Sequence, residues 1–243
     1  IIERETGRLS PIASNGNTVR PMWIPGGPRL SYLSDRSGLG QWKIYGESLS
    51  DANVEVLLDN RVSGRNQFDY IWSQDGRFLV VACDLPNESG DSTIWGNAIA
   101  YLDLDHPGEL TEVIPAQHPM HRYSLALSPD GKWLAYQEVE PSGVAPAKVW
   151  VIPFPDGGRP ILVSKGGGSV PFWSPDGKRI YYFSTISGAR SVQVVDIRTE
   201  PEFRASQPRQ LFECLDMWFS GRDWDISPNG EYFILVRSVD EER

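Results

Sequence analysis

His118-Pro119-Met120-His121 sets two of the chain's three histidines three residues apart, the one stretch where imidazole nitrogens could begin a metal site. A transition-metal centre needs three or four ligands in matching geometry, and this pair supplies two. Asp69 or Asp223 would have to give the third; a solvated loop is the competing reading of the same residues. Lys165-Gly166-Gly167-Gly168-Ser169 is like a phosphate loop only in composition, because no helical pattern follows it to point N–H groups at a phosphate. Asp103-Leu104-Asp105-His106-Pro107-Gly108 alternates acids but lacks the remaining ligands of a calcium loop, and a hairpin turn is due there. There is no GxSxG elbow, and neither Cys83 nor Cys214 has a histidine or cationic cluster beside it in sequence. Glu138, Glu140, Glu200 and Glu202 make no evident pair for glycoside hydrolysis.

What must position any such group is a repeat. Residues 173 to 184 read WSPDGKRIYYFS, and the phrase returns as SPDGKWLAY from Ser128, WSQDGRFLVVA from Trp72 and ISPNGEYFILV from Ile226. A worn copy, WIPGGPRLSYLSD, runs from Trp23. Five similar phrases imply five copies of one structural unit. In Ser174-Pro175-Asp176-Gly177, Pro presets φ at the second turn position, Asp suits the third, and Gly supplies the left-handed residue that closes a hairpin. The flanks are β-branched and aromatic, and two further strand-like runs follow, as in Ser191 to Ile197 and Pro208 to Phe212. The Asp75, Asp130, Asp176 and Asn229 side chains are thus read as turn builders rather than as a catalytic set, since copies arranged around a ring would point apart.

The residues that open the turns, Ile24, Ser73, Ser128, Ser174 and Ser227, are spaced 49, 55, 46 and 53 apart. Four antiparallel strands per such interval is the pattern of a β-propeller blade, and no stretch carries a helical period. The expected fold is therefore all-β: one propeller domain over residues 1–243 with five four-stranded blades. Ile1 to Glu5 and Arg8 to Ala13 would complete the blade begun by Tyr232 to Arg237, which removes exposed strand edges at the seam. A six- or seven-bladed parent with upstream blades cut away is the alternative. The start, IIERETGRLSPI, has neither the basic end nor the apolar centre of a signal peptide and does not begin with Met, so it reads as part of something longer.

Composition narrows the partners. Of 243 residues, 40% are hydrophobic and 11% aromatic, enough for a sizeable core. A formal net charge of −9 without any Lys/Arg run disfavours a phosphate backbone, so nucleic acid is not an expected partner. No run reaches the roughly 18 apolar residues of a membrane helix, so direct membrane insertion is not expected either. Two cysteines make no disulfide framework; they are read as buried free thiols, with a single bridge as the alternative.

WSPDGKRIYYFS and LSYLSDRSG, the latter followed by a strand such as WKIYGESL, resemble the TolB-type propeller repeat, also called WD40-like, over essentially the whole chain. FRASQPRQLFE followed by RDWDISPNGEYFILVRS further resembles the carboxy-terminal end of propeller regions attached to bacterial Ser/Thr kinases and related membrane-anchored proteins. The resemblance implies a bacterial scaffold or sensor domain that displays a binding surface with no chemistry of its own, in an extracytoplasmic or periplasmic setting. Ile24-Pro25-Gly26-Gly27, Gln74 and Asn229 depart from the repeat's turn chemistry.

Loops that enter the first strand of each blade rim the central channel. They carry Arg20, Arg65, Gln67, Asp69, Arg122, Tyr123, Arg222, Asp223 and Trp224. Arg, Tyr and Trp are the residues that most often anchor interfaces, which makes this rim the expected site for a protein or peptide partner; mutual pairing of the charges around a water-filled channel is the alternative. The first functional expectation is a non-enzymatic, cofactor-free propeller that binds such a segment at the channel mouth. The second is a metal-dependent lyase or hydrolase with His118 and His121 as ligands. A third is the substrate-gating propeller of a serine peptidase.

Overall fold

The computed structural model describes residues 16–36, 42–51, 53–59, 67–83, 98–106, 108–116, 120–140, 142–185, 190–214 and 224–235. The expected end strands Ile1 to Glu5 and Arg8 to Ala13 lie outside these. Two compact units are present, Ile1–Gln67 and Phe68–Arg243. Every described element is a strand.

The first unit holds one meander of β1 (Thr18–Ile24), β2 (Arg29–Ser34), β3 (Lys43–Ser48) and β4 (Val54–Leu58), antiparallel in the order β1-β2-β3-β4. Gly26, at φ 92°, closes the β1–β2 turn that Pro25-Gly26-Gly27 builds in place of the usual phrase. Inside the sheet, the Tyr32 hydroxyl donates to Glu47 at 2.9 Å and Lys43 pairs with Asp59 at 2.9 Å, so these buried polar groups of the middle strands are satisfied.

The second unit repeats that meander. Its first sheet is β5 (Gln67–Trp72), β6 (Phe78–Cys83), β7 (Ala98–Asp103) and β8 (Thr111–Ile114). Next come β9 (His121–Leu127), β10 (Trp133–Val139), β11 (Lys148–Pro153) and β12 (Ile161–Leu162). A third sheet takes β13 (Ser169–Trp173), β14 (Arg179–Ser184) and β15 (Ser191–Arg198), to which both β16 (Arg204–Ala205) and β17 (Arg209–Glu213) pair. A hairpin of β18 (Trp224–Ile226) and β19 (Phe233–Leu235) follows. The short β16 is an addition that the repeat did not announce.

Within the second unit, hydrophobic layers lie between successive sheets, as in any stack whose faces are apolar on both sides. Val80, Ile99 and Ile114 meet Leu125, Leu134 and Ile152 in one layer. Ala135, Val149 and Val151 meet Ile180, Tyr182 and Val195 in the next. Tyr181, Phe183 and Val192 meet Trp224 and Ile226 in the last. Cys83 and Cys214 are buried free thiols, as expected.

The repeated phrase builds one turn four times. Ser73, Ser174 and Ser227 donate from Oγ to Oδ1 of Asp75, Asp176 and Asn229 at 2.5, 2.5 and 2.6 Å, and Ser128 does the same to Asp130. That Oδ1 also accepts the N–H two residues on, from Arg77, Lys132, Lys178 or Glu231. The serine oxygen in turn accepts the N–H five residues on. Gly76, Gly131, Gly177 and Gly230 take φ between 68° and 74° and close the turn. The Asp and Asn side chains are therefore spent on the backbone, in keeping with a structural role.

Candidate functional site at the strand starts

The inner strands β5, β9 and β13 begin at the end of the blades where the binding residues were expected, and within the second unit they are stitched to one another there. Asp69 is fully buried; its Oδ1 accepts the Tyr70 N–H at 2.9 Å and its Oδ2 accepts the Leu125 N–H from the next sheet at 3.0 Å. One step round, the Val170 N–H donates to Oε1 of Gln137 at 3.1 Å, and Gln137 Nε2 donates to the Tyr123 hydroxyl at 3.1 Å.

Ser124 and Val170 hold left-handed backbone at φ 54° and 50°, and Arg20 does so in the first unit at φ 56°. All three stand four residues before a turn-opening residue, and at each the pairing with the second strand slips, a β-bulge. Such conformations cost of order 1–3 kcal/mol for a residue with a side chain and persist where the surroundings over-determine them. The bulge turns backbone N–H groups away from their own sheet and toward the neighbouring one, which is where Asp69 and Gln137 receive them. Ser124 is buried, and its Oγ has no hydrogen-bond partner among the described residues.

The expected binding residues fall into distinct groups. Arg122 is buried at 4% exposure, with Nε donating to Glu138 Oε2 at 2.9 Å and a terminal nitrogen donating to the Pro115 carbonyl. Trp224 sits in the last apolar layer, stacked on Phe233 and tilted on Phe183. Tyr123 is half-buried, and that burial raises its phenol pKa. Arg20 lies on β1, and Gln67 opens β5. Arg65, Arg222 and Asp223 lie outside the described residues, as does His118; His121 opens β9. Among the described residues no three His, Cys, Asp or Glu side chains gather as a metal site would require.

At the other end of the same strands, the turns of neighbouring blades enclose a cleft of about 680 Å³ lined by Pro129, Trp133, Asp176, Lys178, Asp196 and Arg198, among others. Pro129 and Gly177, both in its lining, meet turn on turn, and the same contact recurs one turn further on. A Cβ on Gly177 would lie 3.6 Å from Pro129 Cδ, and one on Gly230 would lie 3.6 Å from Pro175 Cδ. Sequence reading missed both the bulges and this stacking: Arg20, Ser124 and Val170 share no residue type, and only their common offset from the turn marks them.

No family model matches the chain. Dipeptidyl-peptidase 5 of Porphyromonas endodontalis is 26% identical over an alignment of 220 residues, and the match covers 74% of this chain and 31% of that protein. TolB from Acinetobacter baumannii superposes with a TM-score of 0.65 at 19% identity, covering 91% of this chain and 49% of that one. Oligogalacturonate lyase from Vibrio parahaemolyticus superposes at 0.57 with 13% identity, over 96% and 76% of the two chains. The chain thus spans under half the length of the first two. Four-stranded antiparallel blades, with no helix among the described residues, a repeated Ser-Pro-Asp-Gly turn and this likeness to TolB together give the chain the fold of a TolB-type β-propeller.

Proposed function

We propose that this chain is a binding propeller without chemistry of its own, which holds a peptide or protein segment at the rim where the first strands begin. The observation that carries the reading is the Ser124 hydroxyl. A buried hydroxyl without a partner costs about 1–3 kcal/mol; this one has no exposed surface, so an extended segment across the start of β9 would offer it a backbone carbonyl only as the side chains covering it yield. Tyr123 beside it, held by Gln137, is the kind of rigid aromatic anchor that loses little entropy on binding. Asp69, Arg122 and Trp224, all buried in the second unit, would be its supporting frame; Arg20, Arg65, Gln67, Arg222 and Asp223 are assigned to it from their place in the sequence repeat alone. An extracytoplasmic location goes with this reading through the likeness to TolB.

A photo-crosslinking residue at position 123, compared with one at Lys178 in the turn-side cleft, tests the placement. The partner should be captured from position 123 alone, and Ser124→Ala should weaken capture without changing the unfolding midpoint by much. Capture from position 178 instead would refute it.

A second reading, the propeller of a larger peptidase, is favoured by the dipeptidyl-peptidase relative, of which this chain would be the part covering 31%. Release of dipeptides by the full-length natural protein, lost on removal of its other domain, would establish it.

A further inference from the structure

Three of the four Ser-x-Asp/Asn-Gly turns carry Asp followed two residues later by a cation, as Asp75 and Arg77, Asp130 and Lys132, and Asp176 and Lys178. The fourth exchanges both partners: Asn229 is followed by Glu231. The exchange is matched in space, since Asn229 Nδ2 donates to Glu231 Oε2 at 2.7 Å. A carboxylate at 229 would face a second carboxylate across that distance. We infer that Asn229 is a site of spontaneous deamidation that the native turn keeps closed, and that conversion, once it happens, unfastens the β18–β19 hairpin.

The chemistry needs only water. The backbone nitrogen of Gly230, having lost its proton to solvent base, attacks Cγ of Asn229. The Cγ–Nδ2 bond breaks, ammonia leaves with a proton returned from solvent, and a five-membered succinimide remains. Water then opens either ring C–N bond to give aspartate or isoaspartate, with no oxidation or reduction. Glycine after asparagine favours the attack because no Cβ obstructs it.

In the folded turn every atom of that step is engaged. The Gly230 N–H donates to the Ser227 carbonyl at 2.7 Å, which ties up the nucleophile. Asn229 Oδ1 accepts from the Ser227 hydroxyl at 2.6 Å and from the Glu231 N–H at 3.2 Å, and Nδ2 is held by Glu231. Attack therefore waits on local opening of the turn, although Asn229 itself is exposed. After conversion, aspartate loses the bond to Glu231 and gains its repulsion; isoaspartate adds a methylene to the backbone of a tight turn.

Peptide mapping by mass spectrometry after incubation at mildly alkaline pH, native and in urea, tests this on the whole chain. It resolves Asn229 from the other Asn-Gly pair, Asn15-Gly16, whose asparagine is outside the described residues. Conversion at Asn229 should run at least about tenfold slower in the native protein than in urea. Glu231→Gln should keep the turn, and Glu231→Ala should speed native conversion. Equal native and denatured rates would overturn the protection. Separately, Asn229→Asp should lower the unfolding midpoint, and Asn229→Asp with Glu231→Lys, which restores the Asp and cation of the other turns, should recover it. An Asn229→Asp protein as stable as the parent would overturn the consequence.

Discussion

The indole N–H of Trp173 donates to the Ala126 carbonyl of the preceding sheet at 3.2 Å, so the residue that ends an inner strand also fastens its blade to the one before. Trp173 is almost wholly buried in the layer it closes. Trp173→Phe keeps an aromatic ring there but removes the donor and some volume. The Ala126 carbonyl then loses that donor in an apolar layer. A loss of about 2–3 kcal/mol is expected in urea unfolding.

Proline in one turn lies against glycine in the next, Pro129 on Gly177 and Pro175 on Gly230. The ladder breaks at Gln74, and among the described residues nothing lies within 4 Å of a Cβ on Gly131. Gln74 occupies the second position of a turn whose closing bond runs from the Gly76 N–H to the Ser73 carbonyl. Gln74→Pro should complete the ladder and restrict the unfolded chain. A gain of about 0.4–1 kcal/mol is expected, read from the denaturant midpoint at unchanged slope.

Hydrogen bonds from the Ser73 and Ser174 hydroxyls, aided by the Arg77 and Lys178 N–H groups, hold the Asp75 and Asp176 carboxyls below the usual carboxylate range. A carboxyl whose pKa is lower folded than unfolded stabilises the fold above the unfolded value, about 3.9, and ceases to do so as pH falls through the folded one. Asp176→Asn keeps an acceptor but cannot titrate. The stability difference between parent and variant should therefore shrink as pH falls from about 5 to about 3, in urea midpoints taken across that range.

Burial pushes the Tyr182 phenol up to about 12, and its hydroxyl has no hydrogen-bond partner among the described residues. The ring itself is tightly packed: a Cβ on Gly168 would come within 2.5 Å of it. Tyr182→Phe keeps the packing and drops the stranded hydroxyl. It should be neutral or stabilising by up to about 1 kcal/mol. Because the folded pKa is raised, the neutral phenol favours the fold below about pH 10, and that contribution disappears as pH rises through about 12. The variant should lose this part of the alkaline sensitivity.

Strands and turns were legible because Ser-Pro-Asp-Gly sets backbone angles locally and alternating Val, Ile and Tyr set the faces that must be covered. The pairing of β13, β14, β15 and β17 follows from those signals alone. The bulges were not legible. Val170 at φ 50° defies its own preference and is kept there by Gln137, a residue 33 positions earlier. Arg122 and Trp224 likewise look like interface anchors by type, yet a salt bridge to Glu138 and an apolar layer take them up. Residue type says what a side chain can do; the neighbour that claims it comes from another strand or another blade.

That competition has a direct test at Arg122. Its guanidinium is buried against Glu138 and the Pro115 carbonyl, so Arg122→Ala leaves a poorly solvated carboxylate uncompensated. A loss of about 3 kcal/mol is expected. Replacing both partners by apolar residues of similar size, Arg122→Met with Glu138→Leu, removes the stranded charge and should restore most of it. If the double variant is stable and still binds a partner through Tyr123, Arg122 supports the rim from behind. If it is stable and binding is lost, the arginine itself makes the contact, and the salt bridge must open for the partner to be held.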